Sequence, residues 1–431
     1  MAKVALTTVG CRLNQYETEK IAVELTSMGL TQVNYNDMAD LYILNTCTVT
    51  GRADADCRKL INRAYRKNPK AVMVVAGCYV VAEKETISEM NGVDLVVGND
   101  SKMELPTIIK EQFQQLFLKP SDDDYHSSTV IPEDSNKQSL PRSRPMVQIG
   151  TGCNQNCSYC IVPKVRGELV SFDSTQIIEE INRLVQDGYH EVVLTAVHIG
   201  KYKENKLTLA GLVKLILKKT EIPRLRLSSL EPNELDDELL ELVAGNNRVC
   251  RHLHLPLQSG SNTILRQMRR PYSREDFLAI IERIKTLNDN ITVGCDIIVG
   301  FPGESEDDFS DSISVLNSGF IDYGHVFSYS DRPGTPASAM VEKISPATIK
   351  ERSRIARTLC EANMKRRLEG QIGKAIGVIS VGKVRGDGLY RAVSDNYLKV
   401  KLPQLTGGTR KIIKFMPEKV AGDCLSGIVL P

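Results

Sequence analysis

The chain has 431 residues, of which 42% are hydrophobic and 25% charged, so we expect two or three domains with ordinary cores. The formal net charge of +2 gives no argument for polyanion binding. Residues 367–431, however, hold 11 Lys and Arg against 5 Asp and Glu, and this local excess of positive charge suits either a nucleic-acid contact or a solvated face. The N-terminus MAKVALTTVGC lacks a signal-peptide pattern, and no apolar stretch approaches the ~20 residues of a membrane helix. We therefore expect a cytoplasmic protein, in which 11 cysteines indicate metal or catalytic thiols rather than disulfides.

Short apolar runs alternate with helical patterns over residues 1–118. The runs are KVALTTV, LYILNT, AVMVVAG and VDLVVG, with helical segments such as ETEKIAVELTSMG between them. Such alternation predicts an α/β domain with a parallel sheet and crossover connections.

Three of these runs are followed by a cysteine, namely Cys11, Cys47 and Cys78. Because the carboxyl ends of parallel strands share one edge of the sheet, the three thiols should meet there. Buried packing thiols are the alternative. If the thiols bind metal, the site has no evident fourth ligand, which suggests an iron–sulfur cluster with one open iron. Cys57 lies in a segment that reads as a solvated helix and is left outside this set, and four further cysteines are interpreted as packing residues: Cys250, Cys295, Cys360 and Cys424.

Residues 119–145 are polar and rich in Ser and Pro, as in a linker. Residues 146–369 contain six further apolar runs: MVQIG, HEVVLTAV, RLRLSS, HLHLPLQ, TVGCDIIVG and DYGHVFSYS. The helical segments STQIIEEINRLVQDG and SREDFLAIIERIKTLN, both predicted to open at Ser, lie between them. This series predicts an open α/β barrel or a doubly wound sheet, which periodicity does not distinguish.

A basic helix opened by Ser345 and Pro346 ends this series. Residues 370–431 then show short alternating runs with Gly turns and no helical pattern. They predict a small all-β barrel.

The stretch TGCNQNCSYCIVPKVRG places Cys153, Cys157 and Cys160 in the loop after the first strand of the second series. Active sites of α/β folds are built from such loops. A structural zinc site would need a fourth ligand, often from a second Cys-x-x-Cys pair, and the sequence has none here. Three thiolates suit an iron–sulfur cluster whose fourth iron is open to a small molecule.

CxxxCxxC with Tyr159 before its last cysteine closely resembles the radical S-adenosylmethionine superfamily. The resemblance implies that the open iron binds S-adenosylmethionine, whose one-electron cleavage gives a deoxyadenosyl radical. The loops LTAVHIG, LSSLEP, LPLQSGS and IIVGFPGE match further positions of that family, although ordinary strand-end turns would explain each loop alone. The residues expected to contact the cofactor are Tyr159, Thr195, Ser229, Glu231, Gln258, Ser259 and Gly300.

The complete layout resembles the radical S-adenosylmethionine methylthiotransferase family over nearly all of the chain, and the resemblance implies an open (β/α)6 barrel for residues 146–369. This implies two 4Fe-4S clusters, with Cys153, Cys157 and Cys160 holding the one that cleaves S-adenosylmethionine, and Cys11, Cys47 and Cys78 holding the one that transfers sulfur. S-adenosylmethionine would serve as both radical source and methyl donor. The C-terminal barrel resembles the TRAM domain, an RNA-binding module, whose basic residues suit phosphate contacts: Lys383, Arg385, Arg391, Lys399, Lys401, Arg410 and Lys411. Tyr390 and Tyr397 are interpreted as barrel core, with base stacking as the alternative.

The first loop distinguishes three branches of this family. The branch that acts on threonylcarbamoyladenosine beside the tRNA anticodon is the one that GCRLNQYETE and NTCTVTGRADADCRK resemble. The isopentenyladenosine branch has a first loop closer to GCQMNxxDSE, and the ribosomal-protein branch has one closer to GCPKNxxDSE. The assignment depends on Asn14, Gln15, Tyr16 and Glu17, which could instead simply cap a helix. Candidate substrate contacts are Asn14, Gln15, Arg166, Lys383 and Arg385, with a loop salt bridge as the alternative for Arg166.

The partners implied by the resemblance are a tRNA anticodon stem-loop, a sulfur donor and a low-potential electron donor such as flavodoxin or ferredoxin, and we expect a monomer. Three alternatives remain open at this point. The substrate could be isopentenyladenosine or a ribosomal protein, or the chain could be a non-catalytic iron–sulfur RNA-binding protein. The ordered loops after strands two to five of the second series argue against the last.

Overall fold

The structure, a computed structural model, describes residues 1–117, 143–383, 389–403 and 410–431. Most of the predicted linker 119–145 lies outside these ranges, as do Arg385 and the side chain of Lys383. The chain divides into two units, one formed by Met1–Pro141 with Cys160–Glu168 and the other by Arg142–Tyr159 with Leu169–Pro431.

The first unit is built on a parallel five-stranded sheet in the order β2-β1-β3-β4-β5. Its central strand β3 is buried at every residue because apolar clusters cover both faces of the sheet, as a continuous apolar run predicts. The strands are β1 (Lys3–Thr8), β2 (Thr31–Val33), β3 (Leu41–Thr46), β4 (Val72–Gly77) and β5 (Leu95–Val97). The helices are α1 (Arg12–Ser27), α2 (Gly51–Lys67), α3 (Cys78–Ala82), α4 (Lys84–Ser88), α5 (Leu105–Gln112) and α6 (Val162–Arg166).

The second unit begins with the six predicted parallel strands. They are β6 (Met146–Gln148), β9 (Glu191–Thr195), β12 (Arg224–Leu227), β13 (His252–His254), β14 (Thr292–Val299) and β15 (Tyr323–Ser328). They pair as β12-β9-β6 and β13-β14-β15, and a parallel bridge from Leu225 to Val249 joins β12 to the segment before β13. Each strand therefore neighbours its successor in the chain, which is the order of an open barrel and not of a doubly wound sheet.

Helices cover the outside of this barrel, and their inward faces form its main apolar core. They are α7 (Ser174–Gln186), α8 (Leu209–Lys219), α9 (Asp237–Gly245), α11 (Arg274–Leu287), α12 (Glu306–Leu316) and α13 (Pro346–Glu369), whereas Ile264 of the short α10 (Asn262–Gln267) packs in a separate cluster with Phe301. Short strand pairs lie in its loops: β7 (Gly150–Thr151) with β8 (Val170–Ser171), and β10 (Lys203–Glu204) with β11 (Leu207–Thr208).

The helix starts follow the capping rules with one correction. Ser273 caps α11 in a capping box with Asp276, and Ser345 caps α13. α7 begins at Ser174 as predicted, but Ser174 is not its cap, because the carboxylate of Asp173 accepts the hydrogen bond from the Gln176 N–H.

The predicted C-terminal β-barrel is confirmed. It closes in the order β16-β17-β18-β20-β19 around apolar side chains such as Val400 and Phe415. The strands are β16 (Ile376–Lys383), β17 (Tyr390–Ser394), β18 (Lys399–Leu402), β19 (Ile412–Ala421) and β20 (Cys424–Val429). Among the described residues, no helix combines the length and apolarity needed to cross a membrane.

The turn between β17 and β18 lies against the amino ends of the open-barrel strands. The guanidinium of Arg226 donates to the carbonyls of Ser394 (2.9 Å) and Asp395 (3.0 Å). Tyr390 packs against the small barrel's core, as interpreted from sequence. Tyr397 does not, because its ring stacks on His252 of β13 with centroids 4.2 Å apart.

Candidate functional site

The three strand-end thiols of the first unit lie as the sequence predicts. Cys11 follows β1 and precedes α1, Cys47 follows β3, and Cys78 begins α3 directly after β4. Cys11 is exposed, and the other two are buried. Burial raises the pKa of Cys47 to about 11, and the neighbouring thiols of Cys11 and Cys78 add to that shift, so Cys47 is within electrostatic reach of both.

Close packing holds Cys47 against the loop after β1. Gly10 has a φ of +113°, and a Cβ atom on it would lie 2.4 Å from the Cβ of Cys47. Asn14 is fully buried and donates to the Thr46 carbonyl (2.8 Å), while the Cys11 thiol donates to its side-chain oxygen (3.6 Å). Gly10 and Asn14 thus position two of the three thiols.

Two buried cations lie beside these thiols. Arg166 binds Glu17 (Nη1–Oε1 2.8 Å) and the side chain of Asn14, and Lys102 binds both Glu17 (Nζ–Oε2 2.5 Å) and Asn99 (Nζ–Oδ1 2.7 Å). Burial acts to lower the pKa of Arg166, but Glu17 and the thiols of Cys78 and Cys11 outweigh it and raise that pKa. Arg166 therefore forms the salt bridge that the sequence left as an alternative.

Asn99 completes the lining by donating to the sulfur of Cys78 (Nδ2–Sγ 3.3 Å). Three thiols with buried cations and an amide donor suit an anionic iron–sulfur cluster, since thiolate ligands need nearby positive charge and N–H donors. Gln15 is half-buried on α1. Cys57 is fully buried in α2, where its thiol donates to the Cys47 carbonyl (3.8 Å) and burial raises its pKa to about 12, so it packs behind the site.

In the second unit, Cys153 lies beside a histidine. Its sulfur is 3.5 Å from His198 Nδ1, and the other ring nitrogen, Nε2, is 2.7 Å from Oε1 of Glu234. Burial acts to lower the pKa of His198, but the hydrogen bonds to Cys153 and Glu234 raise it to about 9. His198 is therefore a cationic donor next to this thiol at neutral pH.

Cys157 has a cationic neighbour of its own. Arg270 donates to its sulfur (Nη1–Sγ 3.1 Å), to the hydroxyl of Tyr272 (3.0 Å) and to the carboxylate of Glu231. Burial raises the pKa of Cys157, and Arg270 opposes that shift. Cys160, which is half-buried, begins the segment Cys160–Glu168 that belongs to the first unit.

The other residues expected at the cofactor differ in accessibility. Thr195 ends β9 and is buried, as is Ser259, whose hydroxyl accepts from the Ser261 N–H (3.2 Å). Ser229 is exposed and Gln258 is half-buried. Two positions use left-handed backbone, Gln258 with φ 66° and Gly300 with φ 77°, the second directly after β14. Tyr159 packs against a small apolar cluster that includes Met268 and Phe301.

Comparison with known proteins identifies the family. Residues 3–98 match the model of Uncharacterized protein family UPF0004, and residues 147–316 match that of the Radical SAM superfamily. The Threonylcarbamoyladenosine tRNA methylthiotransferase MtaB of Aquifex aeolicus (strain VF5) is 36% identical over 93% of this chain and 96% of its own length. The chain belongs to the radical S-adenosylmethionine methylthiotransferase family.

Relatives of this methylthiotransferase carry two different substrate names. The protein named MtaB of Bacillus subtilis (strain 168) is 33% identical over 96% of this chain and 93% of its own length. The tRNA-2-methylthio-N(6)-dimethylallyladenosine synthase of Pelotomaculum thermopropionicum is also 33% identical, over 99% of this chain and 96% of its own length. Among solved structures, the fold is similar to that of the radical S-adenosylmethionine methyltransferase TsrM of Kitasatospora setae with tryptophan and a cofactor analogue bound. The TM-score is 0.57 at 16% sequence identity, and the match covers 78% of this chain and 75% of that one.

Sequence reasoning missed Lys102, His198 and Arg270 as charged partners of the thiols. Lys102 had only a weak signal, because it lies in the segment after β5 but not directly at the end of that strand. Arg270 is 113 residues from Cys157 along the chain, and nothing in the local sequence links the two.

Proposed function

We propose that this methylthiotransferase acts on tRNA and converts threonylcarbamoyladenosine beside the anticodon to its 2-methylthio derivative. Support comes from relatives bearing that name, found at up to 36% identity over nearly the full chain. The first loop, with Asn14, Gln15, Tyr16 and Glu17, supports the same branch. The isopentenyladenosine substrate is the second candidate, since relatives of that name match almost as well.

The observation that carries the proposal is the presence of two separate cysteine sets in one chain. We assign one 4Fe-4S cluster to Cys153, Cys157 and Cys160 and a second one to the three strand-end cysteines Cys11, Cys47 and Cys78. With S-adenosylmethionine as radical source and methyl donor, such clusters supply hydrogen abstraction from an unactivated carbon and the sulfur that replaces that hydrogen.

The protein's own part is to hold and balance these groups. Arg166 and Lys102 offset the negative charge of the strand-end thiolates, and Glu17 keeps both cations paired. Arg270 and His198 donate to the sulfurs of Cys157 and Cys153. Donation to a thiolate lowers its basicity and favours the deprotonated ligand form.

The small barrel is proposed to bind the RNA backbone. Arg391 and Lys411 are exposed and Lys401 is half-buried, so all three offer positive charge at the surface. Lys399 is exposed but paired with Asp423 (2.5 Å). Arg410 is excluded from this role, because it donates to the Asp187 carbonyl (2.7 Å) and covers the ring of Tyr189 at 4.2 Å.

The proposal includes an external sulfur donor, a low-potential electron donor such as flavodoxin or ferredoxin, and a monomer working in the cytoplasm.

The test is mass spectrometry of tRNA nucleosides from cells lacking the gene and from cells in which it is restored. Loss and return of 2-methylthio-threonylcarbamoyladenosine is the expected result. Loss of the methylthio-isopentenyl nucleoside instead would reassign the substrate. If neither nucleoside changes and the reduced protein does not cleave S-adenosylmethionine, the chain is a non-catalytic binder.

A further inference from the structure

A polar cluster lies inside the open barrel, away from the cysteines. Asp296 of β14 accepts from His254 of β13 (Nε2–Oδ1 2.9 Å) and from His325 of β15 (Nδ1–Oδ1 3.1 Å). The three side chains come from adjacent strands, and Asp296 and His325 are direct neighbours in the strand register. We call these three residues the lumen cluster.

The lumen cluster faces the inside of the barrel. On β14, Val293, Cys295, Ile297 and Val299 belong to the core between strands and helices, so the alternate residues Gly294, Asp296 and Ile298 point the other way. Ile298 packs in the same small cluster as Tyr159 of the cysteine loop. Since two residues along a strand span roughly 7 Å, the lumen cluster is one layer of side chains below that loop.

The floor beneath the lumen cluster is closed. The Tyr323 hydroxyl bonds His254 Nδ1 (3.0 Å) and His252 Nε2 (2.7 Å), and Tyr397 stacks on His252. Gly294 makes room for the Tyr323 ring, since a Cβ there would lie 2.0 Å from Cζ of the tyrosine. His254 is thus fixed in orientation from below.

Access comes from the other end of the cluster. Side-chain exposure rises from 8% at His254 through 21% at Asp296 to 55% at His325. Among the described residues, neither Nε2 of His325 nor Oδ2 of Asp296 has a hydrogen-bond partner. Because His325 donates its Nδ1–H to Asp296, its Nε2 carries the lone pair of the imidazole, so the opening presents two hydrogen-bond acceptors, a ring nitrogen and a carboxylate oxygen.

We propose that the lumen cluster binds the threonylcarbamoyl group of the substrate adenosine, with His325 Nε2 and Asp296 Oδ2 each accepting from one of its N–H or O–H groups. This inference rests on the proposed function. A threonylcarbamoyl group offers a carboxylate, a carbonyl, a hydroxyl and N–H groups, whereas an isopentenyl group is hydrocarbon. A site built from polar groups rejects a ligand that leaves them unpaired, so the cluster favours the first substrate over the second.

The test uses the full-length, cluster-reconstituted enzyme and synthetic anticodon stem-loops that carry either threonylcarbamoyladenosine or isopentenyladenosine. His325→Leu should raise KM for the threonylcarbamoyl RNA by roughly 2- to 10-fold, the range for losing a hydrogen bond between neutral groups, with a smaller change in kcat. The matched variant His325→Gln keeps a hydrogen-bond acceptor, its side-chain oxygen, at a similar reach and should recover most of that loss. Circular dichroism and iron content identify any variant that has misfolded.

The outcomes separate this inference from the function on which it rests. An unchanged KM in His325→Leu, with normal iron content, would overturn the subsite while leaving the function intact. A wild-type enzyme that modifies only the isopentenyl RNA would overturn the proposed function itself. The three ligand atoms of the cluster also lie within 4.8 Å of one another, as in a divalent metal site, so Zn²⁺ is titrated as well. One equivalent bound by the wild type and lost in Asp296→Asn would replace the substrate subsite with a metal site.

Discussion

Glu191→Gln tests the buried ion cluster that ties the small barrel to the open barrel. Glu191 is fully buried at the start of β9, and its carboxylate binds Arg226 (Nε–Oε1 2.8 Å), Arg144 (3.3 Å) and Arg224 (3.4 Å). Glutamine keeps the shape of the side chain but removes the only negative charge that these three guanidinium groups share within the described contacts. Removing one partner of a buried pair costs about 3–5 kcal/mol, because the remaining charge is left uncompensated.

The expected cost converts to a fall in melting temperature of roughly 6–20 °C, at about 2–4 °C per kcal/mol for a unit of this size. The chain has no tryptophan, so unfolding is followed by far-UV circular dichroism or calorimetry. Arg283→Gln is the matched control. It removes an exposed ion pair with Asp237 (2.6 Å) and should leave the melting temperature unchanged.

A second measurement localises the effect. Because Arg226 also donates to the carbonyls of Ser394 and Asp395, amide exchange in the turn between β17 and β18 should accelerate in Glu191→Gln and in Arg226→Met. The two substitutions should also be non-additive, since they share one interaction. The reasoning is refuted if Glu191→Gln melts with the Arg283→Gln control, or if the two costs simply add.

Three further predictions concern the pH dependence of the Glu191 ion cluster and the iron content of the strand-end cysteine site. The pKa of Glu191 is about 2, because its arginines outweigh the opposing effect of burial. Its ionised form therefore contributes about 3 kcal/mol to the free energy of unfolding above pH 5, and this contribution is lost as the pH falls toward 2. The difference in unfolding free energy between wild type and Glu191→Gln, measured with urea, should shrink over that range. Cys47→Ser should remove about half of the bound iron, whereas Cys57→Ser should retain it, as measured by iron content after anaerobic reconstitution. Gly10→Ala should lower iron content as Cys47→Ser does, because its methyl group displaces that cysteine; normal loading would contradict the packing argument.

Local patterns were sufficient to predict most of the fold. The continuous apolar run LYILNT became a strand buried at every residue, and the alternation of strands and helices predicted both parallel sheets. Periodicity alone did not distinguish an open barrel from a doubly wound sheet. The family resemblance implied the open barrel, and the order of strand pairing, which is a long-range property, confirms it. The start of α7 was predicted correctly but its cap was not, because Asp173 and Ser174 are both good caps and only the structure shows which one accepts the hydrogen bond.

In the candidate site too, local sequence patterns predicted some features, whereas contacts between distant segments could not be predicted. The position of Cys11, Cys47 and Cys78 directly after parallel strands was enough to predict that they share one edge of the sheet. That rule could not show that Arg166, 149 residues from Glu17, would pair with it, nor that Tyr397 would leave the small barrel's core to stack on His252. Such contacts depend on how distant segments pack. The local sequence around each residue is compatible with contacts to several other parts of the chain, so it does not predict which contact forms.

Both cysteine sites follow one electrostatic logic. Each places a buried guanidinium next to thiol sulfur and gives it a glutamate as partner, Arg270 with the half-buried Glu231 and Arg166 with the buried Glu17. A cation buried without a partner would be costly before the thiols ionise, and thiolates without a cation would be costly afterwards. The glutamate therefore stabilises the empty site, and the guanidinium stabilises the loaded one. The carboxylates near these thiols are best explained as the counter-charges that allow an anionic cluster to be assembled inside a folded protein.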